Sequence, residues 1–207
     1  MPWSDSLNPN SSSETSLTLL QLCREDDKSA WETLDKLYRP LVERWCRNRG
    51  VSPDDAEDLA QVVFLGVATH LKEFRRDQPG QRFRKWLKTI ALNFAKNHLR
   101  NLSGKPRAAG GTDHQVSLDQ VEDDGPTDSD EDQQELRELL HLALRIIQPD
   151  FQPNTWTAFL RTEIEGEKVT DVAKSLGMKP NAVRQSRYRV REKLKAVFAG
   201  LIDFDEP

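Results

Sequence analysis

The chain of 207 residues contains only two cysteines, Cys23 and Cys46, and no pattern that would pair them. A disulfide scaffold and a cysteine-based zinc site are excluded, and a reducing, cytoplasmic setting is expected. The longest apolar stretches are a few residues, so no segment can span a bilayer and no membrane partner is expected. The N-terminal MPWSDSLNPNSSSET lacks both a basic start and an apolar core, which rules out a signal peptide. No run of β-branched residues alternates with period two, so there is no sheet to build. There is also no Gly-rich phosphate loop and no nucleophile motif. His70, His98, His114 and His141 are scattered without ligand spacing. The expectation is therefore a protein with no catalytic residue, no metal and no cofactor. With hydrophobic residues at 36% and charged ones at 31%, the composition suits two small helical domains better than one large core.

What the chain has in abundance is segregated charge. The net charge of −4 is an average over three blocks. Between Lys72 and Arg100 nine basic residues face two acids, giving +7. Between Asp113 and Glu138 eleven acids face one Arg, giving −10. Between Lys174 and Lys195 eight basic residues face one acid, again +7. A lone charge run is usually a solvated face. Here both basic blocks fall on expected helices and the acidic block falls largely between them.

Helical periodicity organises the rest. Residues 1–15 read as a disordered tail. A short helix is expected over Ser16 to Arg24, with Leu17, Leu19 and Leu20 inward. Asp26 or Asp27 can cap the next helix, where Trp31, Leu34, Tyr38, Leu41 and Trp45 form one face, with Pro40 expected to kink or break it. Ser52-Pro53-Asp54-Asp55 is a strong start signal for a helix burying Ala56, Leu59, Val63, Val67 and Leu71. Arg75 to Gln81 reads as a loop. A helix over about 83–102 would bury Phe83, Leu87, Ile90, Phe94 and His98, with Trp86, Asn93, Asn97 and Arg100 on another side. Residues 103–132 read as a flexible acidic linker. Periodicity resumes near Gln133 with Leu136, Leu139, Leu140, Ala143, Leu144 and Ile147. Helices then follow over Trp156 to Ile164, from Thr170 as cap to Leu176, and from Pro180 to Phe198, with 199–207 as a tail. The fold class is all-α.

Two segments carry functional chemistry. Thr170 to Leu194 has the form of a helix-turn-helix, with Gly177 at the turn and Val172, Ala173 and Leu176 packing on Val183 and Val190. Its second helix presents Asn181, Arg184, Gln185, Arg187, Arg189 and Arg191, the side-chain types that read base edges and hold phosphates. The first basic block instead interleaves aromatics with cations: Phe74, Arg75, Arg76, Phe83, Arg84, Lys85, Trp86 and Lys88. Aromatic faces stack on unpaired bases while cations hold the backbone. By this reading Phe83 is core, and Trp86 fits either role.

The strings DAEDLAQVVF (55–64, preceded by Asp54) and FRKWLKTIALN (83–93), followed by Leu99-Arg100, resemble region 2 of the extracytoplasmic-function sigma factors of the sigma-70 family. The C-terminal unit resembles their region 4. The likeness covers about 16–102 and 133–198, which it makes two helical domains joined by the linker. It implies that Asp58, Leu59, Gln61 and Phe64 dock on the β′ clamp helices of core RNA polymerase, with the β subunit near region 4. It implies that Arg75, Arg76, Arg84, Lys85, Trp86, Lys88, Asn93, Asn97 and Arg100 read and open a −10 element of promoter DNA. The 180–194 helix would read a −35 element. An anti-sigma factor is a further partner that the likeness brings. Val62 stands where the family is usually acidic, Lys179 replaces the usual Ser/Thr helix cap, and Arg184 and Gln185 are not the commonest residues. Two rivals stay open: a stand-alone helix-turn-helix regulator, and a sigma-like decoy that binds a regulator. The acidic linker is a tether, an imitation of RNA phosphates, or a screen for the two basic blocks.

Overall fold

The structure, a computed structural model, describes residues 18–74, 83–103, 129–199 and 201. The tail 1–15, Leu17, Arg75, Arg76 and most of the acidic linker lie outside the described residues. Eight α-helices are described: α1 (Leu19–Arg24), α2 (Lys28–Asn48), α3 (Pro53–His70), α4 (Phe83–Leu102), α5 (Ser129–Ile147), α6 (Pro153–Phe159), α7 (Val169–Ser175) and α8 (Pro180–Phe198). No strand occurs among the described residues. The chain divides into two units, one of Leu34–Glu138 and one of Met1–Thr33 with Leu139–Pro207.

In the Leu34–Glu138 unit, α2 contributes Leu34, Leu37, Tyr38, Leu41, Val42 and Trp45, all buried. Each such apolar side chain contributes about 1.5–3 kcal/mol by leaving water. α2 is continuous across Pro40, where a break was expected. The lost N–H costs one intrahelical bond, and the buried residues on both sides outweigh it. α3 packs on α4. Their approach is close: a Cβ added at Gly66 would sit 2.9 Å from the Phe94 ring. Gly50, at φ +93°, ends the α2 segment in a left-handed conformation that glycine adopts without penalty.

The start of α3 follows its sequence signal closely. Ser52 Oγ accepts from the Asp55 N–H at 3.2 Å and donates to Asp55 Oδ2 at 2.7 Å, with Pro53 in the first turn. The Ser52 hydroxyl, and after it His98, hold the Asp55 carboxyl below its ordinary value of 3.8. Asp27 takes the capping role for α2: its Oδ1 accepts from the Ala30 N–H at 2.8 Å.

In the other unit, α6 and α7 both pack on α8. Val172, Ala173 and Val183 share a cluster with Ala158 of α6, joined by Val169, Leu176 and Met178. Val190 is buried outside that cluster. Gly177 at φ +64° makes the expected turn. One expectation is corrected. Thr170 lies inside α7 and does not cap it; Lys168 is the N-cap, its extended backbone carbonyl accepting from the Asp171 and Val172 N–H groups. Residues Leu160–Ile164 form a π-helical turn after α6 instead of continuing it. Cys23 and Cys46 are both buried, and burial pushes their thiols up to about 12 and about 11, so neither is a thiolate at neutral pH.

Two outcomes follow from the caps. Lys179 makes no side-chain bond to the α8 start, so Lys179→Ser should raise stability by about 1 kcal/mol in urea unfolding. Ser52→Ala should cost about 1 kcal/mol at neutral pH. Because the Asp55 pKa is depressed in the fold, its contribution is present above the ordinary carboxylate range and lost as pH falls through the lowered value. The difference between wild type and Ser52→Ala should therefore shrink in acid; a gap constant from pH 7 to pH 2 would refute the role given to Asp55.

Candidate functional site

Three surfaces carry the residues singled out above. The first is the outer face of α3. Asp58 and Gln61 are exposed, as expected of docking residues, whereas Leu59 and Phe64 are 7% and 8% exposed and belong to the core. Phe64 also lies under the Arg39 guanidinium, 5.9 Å from ring centre to Cζ. Their burial follows from phase: Ala56, Leu59, Val63 and Val67 form one stripe, and Asp58, Gln61, Val62 and Leu65 fall on the opposite one. Leu65 is 70% exposed and Val62 39%. The sequence reading missed Leu65. The signal was there, a leucine four residues after Gln61 and out of step with the core stripe.

The second surface is α4 with its neighbours. Tyr38, Phe83, Phe74 and Trp86 form a chain of ring contacts, with centroids 5.3 Å, 5.6 Å and 5.0 Å apart in turn. Phe83 is core, as expected. Trp86 stands half-buried at the edge of this cluster, supported by Phe74 and Phe83. Lys85, Asn97 and Arg100 are exposed, and Asn93 is half-buried. Lys96 and Arg100 line a shallow groove with Arg49, Leu99 and Ser103.

Arg84 and Lys88 are placed differently. Arg84 is 8% exposed, and its Nη1 meets Glu135 Oε2 at 2.7 Å and Asp132 Oδ1 at 3.2 Å. Lys88 Nζ lies 3.4 Å from Glu135 Oε1 and 5.8 Å from the Trp45 ring centre. Trp45 Nε1 donates to the same Glu135 oxygen at 2.7 Å. One turn on, Arg44 Nη1 meets both oxygens of Glu138 at 2.6 Å. Glu135 is 0% exposed. α5 thus begins at Ser129, inside the expected linker of 103–132, and its acidic first turns lie on α2 and α4. Arg84, expected to face DNA, is covered by this contact. Sequence reasoning missed Arg44, Trp45 and Glu135 as partners. A signal existed: Glu135 occupies the next position in the row Leu139, Ala143, Ile147, where the pattern calls for an apolar residue.

The third surface is α8. Asn181, Arg184, Gln185, Arg189 and Arg191 are exposed. Arg187 is half-buried and tied to Glu163 of the π-helical turn, Nε to Oε2 at 2.8 Å. Arg191 approaches the same carboxylate at 3.7 Å. Tyr188, 65% exposed, lies among Arg184, Arg187 and Arg191 in a shallow groove and was not singled out from sequence.

Residues 34–104 match the family model described as Sigma-70 region 2. The chain is 31% identical over 182 residues to "RNA polymerase sigma factor CarQ" of Myxococcus xanthus, spanning 86% of this chain and 94% of that one. The chain belongs to the extracytoplasmic-function sigma factors of the sigma-70 family. It is 25% identical to "ECF RNA polymerase sigma-E factor" of Haemophilus influenzae (87% and 94% covered) and to "RNA polymerase sigma-H factor" of Pseudomonas aeruginosa (89% and 94%). As a sigma factor it binds core RNA polymerase and directs promoter-specific initiation. Among the described residues no group of metal-ligating side chains occurs, and no helix is long and apolar enough to cross a membrane.

In this sigma factor Arg84 and Glu135 are a buried ion pair. Removing one partner would leave the other charge buried, a penalty of about 3–5 kcal/mol that undocking of the α5 start relieves. Arg84→Met should therefore speed amide exchange across 132–138 by about tenfold or more, while exchange in α3 stays unchanged. Unaltered exchange in 132–138 would show that Arg84 does not hold the segment.

Proposed function

We propose that this sigma factor divides its contacts among the three surfaces. The exposed α3 stripe of Asp58, Gln61, Val62 and Leu65 docks on the β′ clamp helices. The edge of α4 marked by Lys85, Trp86, Asn93, Asn97 and Arg100 takes the −10 element and stabilises its melted strand. Arg75 and Arg76 would contribute there from sequence. α8 reads the −35 element through Asn181, Arg184, Gln185 and Arg189, with Arg187 and Arg191 set by Glu163 and with the β subunit adjoining that unit. An anti-sigma factor is the remaining partner proposed, on family likeness.

The observation that carries this reading is the contrast between the two faces of α3. Leu65 at 70% and Val62 at 39% exposure, three residues apart, put an apolar contact beside a carboxylate and an amide on the face turned away from the core. The mixture suits a helical partner that supplies both an apolar contact and cations. On α4, a half-buried Trp held by two Phe rings gives a rigid edge on which an unpaired base can stack, worth about 1–3 kcal/mol.

Run-off transcription with purified core polymerase and genomic promoter fragments tests the assignment. Asp58→Arg combined with Gln61→Ala should weaken co-elution with core polymerase at least about tenfold without changing the helical circular dichroism. Trp86→Ala should leave co-elution intact and reduce permanganate reactivity of the melted strand. Normal co-elution of the double variant would refute the docking face. Unchanged permanganate footprints with Trp86→Ala would make Trp86 a core residue only.

A further inference from the structure

Arg44, Trp45, Arg84 and Lys88 come from two helices, and all four aim donors at carboxylates of one short segment. Asp132, Glu135 and Glu138 lie one turn apart on α5 and supply every acceptor. Glu135 is the most deeply held, with an indole N–H, a guanidinium and an ammonium on its two oxygens. Such an array recognises anionic oxygens in general. A phosphodiester offers the same two acceptors and the same charge as a carboxylate.

The hold on the segment is mainly ionic. Of residues 130–138 only Glu135 is buried; Asp130, Glu131, Gln133, Gln134 and Arg137 are exposed. The Arg44–Glu138 pair at the partly exposed end weakens with salt, the buried Arg84–Glu135 pair much less, and a polyanion competes with both for the same donors. Arg84 and Lys88 lie on the same helix as Lys85 and Trp86, the edge assigned above to the unpaired promoter strand, but on another face of it.

We propose that Arg44, Trp45, Arg84 and Lys88 form a binding site for the backbone phosphates of single-stranded DNA, and that Asp132, Glu135 and Glu138 occupy it as a built-in competitor. With the α5 start docked, the site is closed and binding of stray nucleic acid is suppressed. When the segment lifts, the four donors are open to the phosphates of the strand. The inference rests on the reading of α4 as the −10 surface, and it adds the residues Arg44 and Trp45 and a means of regulation.

The probe is a fluorescent oligothymidine 12-mer, titrated with the full chain at moderate salt and read by anisotropy. Glu135→Gln should bind about tenfold tighter than wild type and Glu138→Gln about two- to threefold tighter, since each removes an anion from the path. Adding Arg84→Ala and Lys88→Ala to Glu135→Gln should abolish the gain. If Glu135→Gln fails to fold by circular dichroism, Glu138→Gln, whose carboxylate is at the partly exposed end, carries the test. Unchanged affinity in whichever variant folds, or a gain that persists without Arg84 and Lys88, overturns the proposal. Failure of the −10 reading is distinguishable. In that case the oligothymidine gain appears, but holoenzyme made with Trp86→Ala melts promoters as well as wild type does.

Discussion

A carboxylate with no access to water governs the Leu34–Glu138 unit. Trp45, Arg84 and Lys88 surround Glu135 and give both of its oxygens the partners that water would otherwise supply. Burying such a pair gives little net stability, since desolvation offsets the attraction, but breaking it is costly. On a fold whose total stability is of the order of 5–15 kcal/mol, a penalty of about 3–5 kcal/mol is decisive for the segment that carries the charge. The contact therefore acts as a specifying device. It seats the acidic turns of α5 on α2 and α4 and occupies Arg84 and Lys88.

That constraint divides the first basic block into two populations. Arg84 and Lys88, four residues apart, turn toward carboxylates. Lys85, Lys96 and Arg100 are exposed on other faces of the same helix. Helical phase makes the division, and it separates structural charge from charge available for a polyanion. The second block is divided less completely. Glu163 holds Arg187 and reaches Arg191, while Arg184 and Arg189 are exposed. In both units one acid sets two cations, while Lys85, Lys96, Arg100, Arg184 and Arg189 are exposed.

The aromatic cluster applies the same economy to stacking. Tyr38 and Phe83 are fully buried, and Phe74 nearly so, while Trp86 is only half-buried. A large ring fixed by two others loses little entropy when a base lands on it. The edge is therefore built from the core outward, and the core residues are the ones that give it rigidity.

Much of this was determined by the sequence. Ser52 and Pro53 start α3, Gly177 turns α7 into α8, and the apolar stripes of α2 and α3 bury where the period of 3.6 places them, because these signals act within a few residues. The charge blocks and the family strings likewise stand in the linear text. Helical phase also puts Leu59 inward and Leu65 outward. Tertiary structure decided that Phe64 is covered, with the Arg39 guanidinium of another helix over its ring. Thr170 passed inside α7 because the Lys168 backbone had already begun the helix. The partner of Arg84 lies 51 residues away and that of Trp45 lies 90 away. No local rule couples such positions. A glutamate in an apolar row reads as an interruption until two other helices bring it an indole, a guanidinium and an ammonium. Burial of charge depends on what is assembled around it, and only the folded chain assembles it.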